Sequence, residues 1–322
     1  NTSVTSRNLS IQGLTAADAG SYSCTVYGEC DSVNTSLATL TIQAATVIVN
    51  HPVSQTVNEG TPVNFSVEAG GVGLSYQWFK NNSPVAGASS ANYTIASPDN
   101  SHEGAYTCLV SGSCGAITSN AAQLTVYMNT AISTQPSSKI QCEGTLVTFF
   151  VAATGEGLSY QWKLDGTNLV NNSGVITGVN STTLTISSIA ESNEGAYTCE
   201  ITGDGGNVIS DVVTLTVNPA TAILSNPVAT KEVCEEGVTL FVVNAEGVGL
   251  NYSWRKDNIA LTEGGIISGS DTEVLTLTGV TSDNEGDYTV QVAGTCGTVV
   301  SSPSSLTIND LVDILVQPTG ET

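Results

Sequence analysis

Residues 193–199 read Asn193-Glu194-Gly195-Ala196-Tyr197-Thr198-Cys199, and this stretch recurs, in altered form, in every domain-sized part of the chain. Its glycine has counterparts at positions 20, 104 and 286, so the spacings are 84, 91 and 91 residues. Self-similarity at a fixed period indicates an internal repeat. A period of about 90 residues is too long for a solenoid unit and is typical of a whole small domain. The sequence therefore predicts a string of similar domains.

Two kinds of aromatic residue keep the same period. The three tryptophans of the chain stand one per repeat, at Trp78, Trp162 and Trp254. A tyrosine stands two residues after each glycine, at Tyr22, Tyr106, Tyr197 and Tyr288. This combination resembles the immunoglobulin fold, in which the Trp packs in the core and the Tyr bonds back to the backbone at the corner between strands E and F. The resemblance implies an all-β chain of tandem immunoglobulin-like β-sandwiches with these residues in their structural cores.

The repeat register divides the chain into five parts. Residues 1–43 are predicted to carry only strands E, F and G of a first domain, with strand E at residues 8–11. Residues 310–322 repeat the opening of strand A, so we expect both ends of the chain to lie inside domains. Three complete domains lie between them, at residues 44–127, 128–218 and 219–309.

Alternating apolar and polar residues predict the strands of each sandwich. In the first complete domain, the odd positions of residues 63–67 and the even positions of residues 74–78 would face the core. Tight turns are predicted at Asn81-Asn82, Asp165-Gly166 and Asp257-Asn258. The connections between domains are short, such as Gln43-Ala44-Ala45, which favours a semi-rigid linear rod over a flexible tether.

Composition narrows the range of partners and cofactors. With 29 Asp and Glu against 7 Lys and Arg, the net charge is −22, which repels nucleic acid and anionic lipid. No run of eighteen apolar residues is present, so no membrane insertion is expected in this segment. No spaced acidic loop predicts a calcium site, and we expect no metal and no cofactor.

Catalytic chemistry has few candidate residues. The only histidines are His51 and His102, and the equivalent positions of the other repeats hold Gln or Asn. A Ser-His-Asp or Cys-His nucleophile needs a histidine held by a partner, so we expect no catalytic and no cofactor-binding residues. The glycine clusters at residues 70–73 and 247–249 join strand B to strand C without a following helix, and they are interpreted as turns.

The eight cysteines fall into three recurrent positions of the repeat. The first position, twenty residues before Trp, holds Asn58, Cys142 and Cys234. The second, four residues after the glycine, holds Cys24, Cys108, Cys199 and Val290. The third, ten residues after the glycine, holds Cys30, Cys114, Gly205 and Cys296. Every complete domain thus fills two of the three positions with cysteine.

This even filling suggests that the three positions converge within each domain, so that any two can form a disulfide. We therefore predict pairing within domains: Cys24–Cys30, Cys108–Cys114, Cys142–Cys199 and Cys234–Cys296. Such bonds imply an oxidising, extracellular setting. Buried free thiols in a reducing cytosol are the alternative.

The sequence motifs of the repeats also resemble those of one class of tandem-repeat protein. Val-Cys-Glu before strand B, Tyr-Gln-Trp in strand C, Glu-Gly-Ala-Tyr-Thr-Cys in strand F and Gly-Thr-Cys-Gly before strand G look like the immunoglobulin-like repeats of very large bacterial surface proteins. The resemblance implies a non-enzymatic structural and adhesive segment of an extracellular fibre or giant adhesin, at the cell surface or secreted.

The partners implied are neighbouring copies of the same array or surface ligands, with self-association into filaments. Two alternatives stay open at this point. The chain could be a module whose loops bind a glycan or a protein, or a spacer beside a catalytic domain that lies outside these residues.

Overall fold

The computed structural model describes residues 5–172 and 174–312. In this part of the chain the regular structure consists of strands and single 3-10 turns, and no helix is long and apolar enough to cross a membrane. The described residues form two compact units. One comprises the chain up to Thr130 with Thr154–Gly157 and Gly203–Gly206, and the other comprises Ala131–Ala153, Leu158–Thr202 and the chain from Asn207.

The N-terminal segment forms two short hairpin-like pairs. Its strands are β1 (Gly20–Tyr22), β2 (Thr25–Tyr27), β3 (Ser32–Asn34) and β4 (Ala38–Leu40), and β1 pairs with β4 while β2 pairs with β3. The strand predicted at residues 8–11 is wrong, because these residues form no strand. In the complete repeats strand E pairs with strand B, and the described part of residues 1–43 contains no strand B to pair with.

The first complete sandwich has ten strands. They are β5 (Val47–Asn50), β6 (Gln55–Asn58), β7 (Val63–Ser66), β8 (Glu68–Gly70), β9 (Ser75–Lys80), β10 (Ser83–Pro84), β11 (Asn92–Ile95), β12 (Gly104–Gly112), β13 (Gly115–Thr118) and β14 (Ala122–Tyr127). The larger sheet has the order β10-β9-β12-β14-β6, with β13 beside β12. Across from it, β7 pairs with β11 and β5 with β8.

The second sandwich repeats this plan. Its strands are β15 (Ala131–Thr134), β16 (Lys139–Cys142), β17 (Val147–Phe150), β18 (Ala152–Thr154), β19 (Ser159–Leu164), β20 (Thr167–Asn168), β21 (Ile176–Thr177), β22 (Thr183–Ile186), β23 (Gly195–Gly203), β24 (Gly206–Ile209) and β25 (Val213–Asn218). One sheet has the order β16-β25-β23-β19-β20 and the other the order β17-β22-β21. The added strand β21 lies in the connection that is seven residues longer here than in the first sandwich.

The third sandwich has the same eleven-strand pattern. Its strands are β26 (Ala222–Ser225), β27 (Thr230–Cys234), β28 (Val238–Val242), β29 (Asn244–Glu246), β30 (Asn251–Lys256), β31 (Ile259–Ala260), β32 (Ile267–Ser268), β33 (Val274–Thr278), β34 (Gly286–Gly294), β35 (Gly297–Val300) and β36 (Ser304–Asn309). The predicted opening of a further strand A falls mostly on residues 313–322, which lie outside the described residues.

In the letter notation of the immunoglobulin fold, strand B is β7, β17 or β28, strands C and C′ are β9 and β10, β19 and β20, or β30 and β31, and strand E is β11, β22 or β33. Strand F is β12, β23 or β34, and strand G comprises β13 and β14, β24 and β25, or β35 and β36. Each core is built from inward-facing residues of both sheets. Trp78, Trp162 and Trp254 are fully buried, and each lies near a phenylalanine of strand B that stacks on the tyrosine of strand F. The ring centroids of that stacked pair are 4.8, 4.7 and 4.6 Å apart in the three sandwiches. Burying three aromatic side chains supplies a large part of the apolar area that stabilises a domain of this size.

The predicted tight turns between strands C and C′ are confirmed. Asn81 and Asn82 have φ of 50° and 66°, and Asp257 and Asn258 have φ of 50° and 67°. These left-handed values belong to a two-residue hairpin loop whose twist matches that of the flanking strands, and Asn and Asp tolerate them better than most residues.

Candidate functional site

The predicted tyrosines fix the corner before strand F in each repeat. The hydroxyls of Tyr106, Tyr197 and Tyr288 donate to the carbonyl four residues upstream at 2.8, 2.7 and 2.8 Å. Tyr22, which is half-buried, does the same to Asp18 at 2.6 Å. Burial raises the pKa of Tyr106, Tyr197 and Tyr288 to about 12, so these phenols stay protonated donors at neutral pH.

The tryptophans are held in a similar way. Each indole nitrogen donates at 2.9 Å to a backbone carbonyl on the strand E side, at Ser90, Ser181 and Thr272. The predicted tryptophans and tyrosines therefore form a structural frame.

The outstanding chemical feature is a disulfide between two successive sandwiches. It joins Cys142 to Cys296, whose Cα atoms are 5.5 Å apart and which are separated by 154 residues in sequence. Cys142 is the last residue of β16, and Cys296 lies in the turn between β34 and β35. The Sγ of Cys296 is also 3.8 Å from the carbonyl oxygen of Asn218, the last residue of β25.

Two recurring positions define this site. We call the last residue of the strand beside strand G the A′ end, and it is Asn58, Cys142 or Cys234. In each sandwich it pairs in parallel register with the last residue of strand G, which is Tyr127, Asn218 or Asn309. We call the third cysteine position of the repeat the F–G turn, and it is Cys114, Gly205 or Cys296.

The predicted pairs Cys142–Cys199 and Cys234–Cys296 are wrong. The A′ end lies at one end of the sandwich, whereas the second and third cysteine positions of the repeat lie at other levels along the strands. Cys142 pairs with Asn218, three steps beyond the level of Gly195, whereas Cys199 lies four steps to the other side of it. Seven strand steps span about 23 Å, and a disulfide needs Cα atoms no more than about 7 Å apart. The A′ end and the F–G turn of one sandwich are farther apart still.

The predicted pairs Cys24–Cys30 and Cys108–Cys114 are also wrong, and all four thiols are free. In the first sandwich, Cys108 faces the core while Cys114 lies past the end of β12. The four strand steps from Cys108 to Gly112 alone cover about 13 Å. Cys24 precedes β2, and Cys30 lies beyond it in the turn that the Gly28 amide closes by donating to the carbonyl oxygen of Asp31.

The two core thiols are chemically protected. Cys108 and Cys199 are buried, and burial raises the pKa of Cys199 to about 11 and raises that of Cys108. The thiolate is the reactive form of cysteine, and a raised pKa suppresses it at neutral pH. These two residues therefore act as small apolar core residues, like Val290 at the same position of the third sandwich.

A second A′ end meets an F–G turn without a disulfide. Gly203–Gly206, which belong to the same compact unit as the first sandwich, contain the F–G turn residue Gly205. The Nδ2 of Asn58 donates to the carbonyl oxygen of Gly205 at 3.1 Å. A Cβ on Gly205 would come within 1.9 Å of the carbonyl oxygen of Met128, so this position has no room for any side chain. Asn58 and Gly205 therefore make a hydrogen bond where Cys142 and Cys296 make a covalent one.

Both histidines make hydrogen bonds within the first sandwich. The Nδ1 of His51 accepts the Asn120 amide at 3.0 Å, and the Nδ1 of His102 lies 2.7 Å from an Asp99 carboxylate oxygen beside the tyrosine corner. In the described part of the chain, no three His, Cys, Asp or Glu side chains come together as ligands of a metal ion would.

Comparison with known proteins agrees with this geometry. A family model for the immunoglobulin domain matches residues 47–111 and 131–202, which lie in the first and second sandwiches. The fold is that of tandem immunoglobulin-like domains. A titin fragment, I-band domains I67–I69, superposes with a TM-score of 0.67 at 20% sequence identity, covering 83% of this chain and 99% of the fragment.

Curated relatives come from animals. Protein sidekick-1 of Homo sapiens is 29% identical over 217 residues, covering 63% of this chain and 10% of sidekick-1. A peroxidasin homolog of Mus musculus is 27% identical over 307 residues, covering 90% of this chain and 20% of that protein. The chain thus spans about a tenth to a fifth of the length of these relatives.

The sequence contains a pattern that predicts this disulfide, and it appears only when successive repeats are compared. When the A′ end of one repeat is compared with the F–G turn of the next, cysteine occurs in both places at Cys142 and Cys296 and in neither at Asn58 and Gly205. This match between successive repeats is the pattern that the structure bears out.

Proposed function

We propose that the chain is a structural and adhesive segment of an extracellular fibre or giant surface adhesin built from immunoglobulin-like repeats. The observation that carries this function is the Cys142–Cys296 bond, because it joins the ends of two successive sandwiches and adds nothing to the core of either. Domains connected by a short linker move relative to one another by default. A covalent tie at the ends limits that motion, as a display stalk requires.

Chemistry and charge support an extracellular location at the cell surface or in a secreted array. Disulfides persist in oxidising compartments and are rare in the cytosol. A net charge of −22 keeps such an array soluble and repels nucleic acid. Neighbouring copies of the array or surface ligands are the partners that fit this role.

The proposed role is non-enzymatic. Its support is the use of both histidines in hydrogen bonds within the first sandwich and the match of the immunoglobulin-domain family model to the first and second sandwiches. The relatives from human and mouse do not support the bacterial origin that the repeat motifs suggested. The proposed extracellular role does not depend on a bacterial origin.

Small-angle X-ray scattering tests the stalk. A sandwich of about ten-residue strands with its loops is about 40 Å long, so about four units in a linear row give a maximum dimension well over ~100 Å. We expect that dimension for the oxidised chain and a broader distribution of distances after reduction, when the tie at Cys142 is lost. A compact particle in both states would contradict the stalk.

Bead aggregation tests adhesion. Beads coated with the full chain should aggregate with one another, and aggregation should increase from low to moderate salt because the acidic chains repel less when screened. Beads coated with heat-unfolded chain are the control. Failure to aggregate, together with specific binding to immobilised glycans or to one soluble protein, would favour the ligand-binding alternative instead.

A further inference from the structure

Two free cysteines occupy the same positions as the bonded pair. Cys234 is the last residue of β27 and pairs with Asn309, as Cys142 pairs with Asn218. It is exposed and free. Cys234 therefore presents the A′-end half of a junction at the end of the third sandwich.

Cys114 presents the opposite half. Its Sγ lies 3.8 Å from the carbonyl oxygen of Gln43, and the Sγ of Cys296 lies 3.8 Å from that of Asn218. The separations in sequence are 71 and 78 residues, and they differ by the seven residues that the first sandwich lacks. Gln43 is thus the counterpart of Asn218, the residue that pairs with the A′ end.

We propose that the A′ end and the F–G turn form a repeated covalent coupling between immunoglobulin-like repeats. Cys234 forms a disulfide with the F–G turn cysteine of a following repeat, and Cys114 forms one with the A′-end cysteine of a preceding repeat. This inference rests on the proposed array function for its partner, and the sequence of residues 313–318 is similar to the one that opens each complete repeat.

At both contacts, the A′ end and the facing F–G turn either both hold cysteine or both lack it. Cysteine stands on both sides at Cys142 and Cys296, and on neither side at Asn58 and Gly205, where a side chain does not fit. An unmatched cysteine would leave an exposed thiol in an oxidising setting, where it forms adventitious disulfides. A partner cysteine is therefore the simplest occupant of the position next to Cys234.

The bond forms by thiol–disulfide exchange with a small-molecule or protein disulfide as oxidant. The Cys234 thiolate attacks the oxidant disulfide and releases one of its sulfurs as a thiolate. The partner thiolate then attacks the Cys234 sulfur of this mixed disulfide and releases the second thiolate. In total, two cysteine thiols lose two electrons and two protons, and the oxidant disulfide is reduced to two thiols.

The test extends the full chain by one repeat. Residues 1–309 are followed by a second copy of residues 219–309, so that Asn309 precedes Pro219 as Asn218 does in the natural chain. The added copy carries Cys234→Ser, so that the Cys234 peptide comes from the third sandwich alone. The protein is refolded in a mixture of oxidised and reduced glutathione, alkylated and mapped without reduction. We expect one peptide pair joining Cys234 to the Cys296 of the added copy, beside the pair joining Cys142 to Cys296.

The matched control carries Cys296→Gly in the added copy, as nature has Gly205 in the second repeat. In this control, Cys234 should be fully alkylated. Burial of the added tryptophan, read by acrylamide quenching, shows that the added repeat is folded in both proteins. An alkylated Cys234 in the folded, extended chain, or its linkage to any other cysteine, would overturn the coupling. Loss of the Cys142–Cys296 pair would overturn it too.

These results are separate from those that decide the proposed function. Scattering and bead aggregation report on the stalk and its adhesion, and they use the natural chain. Peptide mapping reports only on which sulfurs are joined, so the coupling can fail while the adhesive role stands, and the reverse.

Discussion

At Asn58 and at Cys142 the A′ strand ends beside the last residue of strand G, and in both places the F–G turn of the following repeat comes next to it. At Cys142 the contact is a disulfide to Cys296, whereas at Asn58 it is one hydrogen bond of 3.1 Å to the Gly205 carbonyl. The pairing of the A′ strand with strand G places the two residues in contact in both cases. The residue types at the two positions decide whether the contact is a disulfide or a hydrogen bond. The chain thus makes a covalent contact at one A′ end and a hydrogen bond at the other.

The largest loss of stability is expected from damage to the second sandwich, which contributes Cys142 to one contact and Gly205 to the other. Trp162→Ala removes the central core residue of the second sandwich, and the cavity should lower the free energy of unfolding by about 3–5 kcal/mol. Urea unfolding followed by circular dichroism measures it. Phe150→Ala, at an outward position that is 50% exposed, is the control and should change stability by less than about 0.5 kcal/mol. Equal effects of the two changes would mean that Trp162 is not central to the core.

Removing the covalent contact comes next. The double change Cys142→Ser with Cys296→Ser should lower the unfolding free energy by about 2–4 kcal/mol, because the bond restricts the unfolded chain. Differential scanning calorimetry of the two proteins measures the loss. Cys234→Ser, which removes an exposed free thiol, should leave the transition unchanged. An unaltered transition after removal of the bonded pair would show that the tie contributes no stability.

The close approach at Gly205 should be sensitive to a single methyl group. Gly205→Ala places a Cβ where the Met128 carbonyl oxygen lies, and the resulting shift should cost about 1–3 kcal/mol. Cys114→Ala at the equivalent turn of the first sandwich, which already carries a side chain, should cost far less. The prediction fails if the two alanine variants unfold at the same urea concentration.

The weaker contact should show the smallest effect. Asn58→Ala removes the hydrogen bond to Gly205 and should lower the unfolding free energy by about 0.5–1.5 kcal/mol. Native-state hydrogen exchange of the neighbouring amides should increase in step, since local opening becomes easier. A loss as large as that of the disulfide pair would contradict the difference in strength between the two contacts.

Alternation and the repeat register were sufficient for the sandwich cores. The outward and inward positions of strand B, the burial of Trp78 and its two counterparts, and the turn at Asn81 all follow from local patterns that the sequence displays. Such features depend on residues a few positions apart, so a single repeat contains the information.

The disulfide depended on information that no single repeat contains. Cys142 and Cys199 look adjacent in a list of recurrent positions, yet the parallel register of β16 with β25 places Cys142 at the end of its sandwich and Cys199 in the middle. The position of a residue along the length of a sandwich depends on pairing between strands that lie about 80 residues apart in sequence. The strand expected at residues 8–11 failed for a related reason, since a strand needs a partner that the described part of residues 1–43 does not include.

The second and third sandwiches are tied through the A′ end of one and the F–G turn of the other. Peptide mapping of the unreduced full chain by mass spectrometry is the direct test of this bond. We expect one linked pair, Cys142 with Cys296, and alkylation of Cys108 and Cys199 only after unfolding. Linkage of Cys142 to Cys199, linkage of Cys234 to Cys296, or eight free thiols would contradict it.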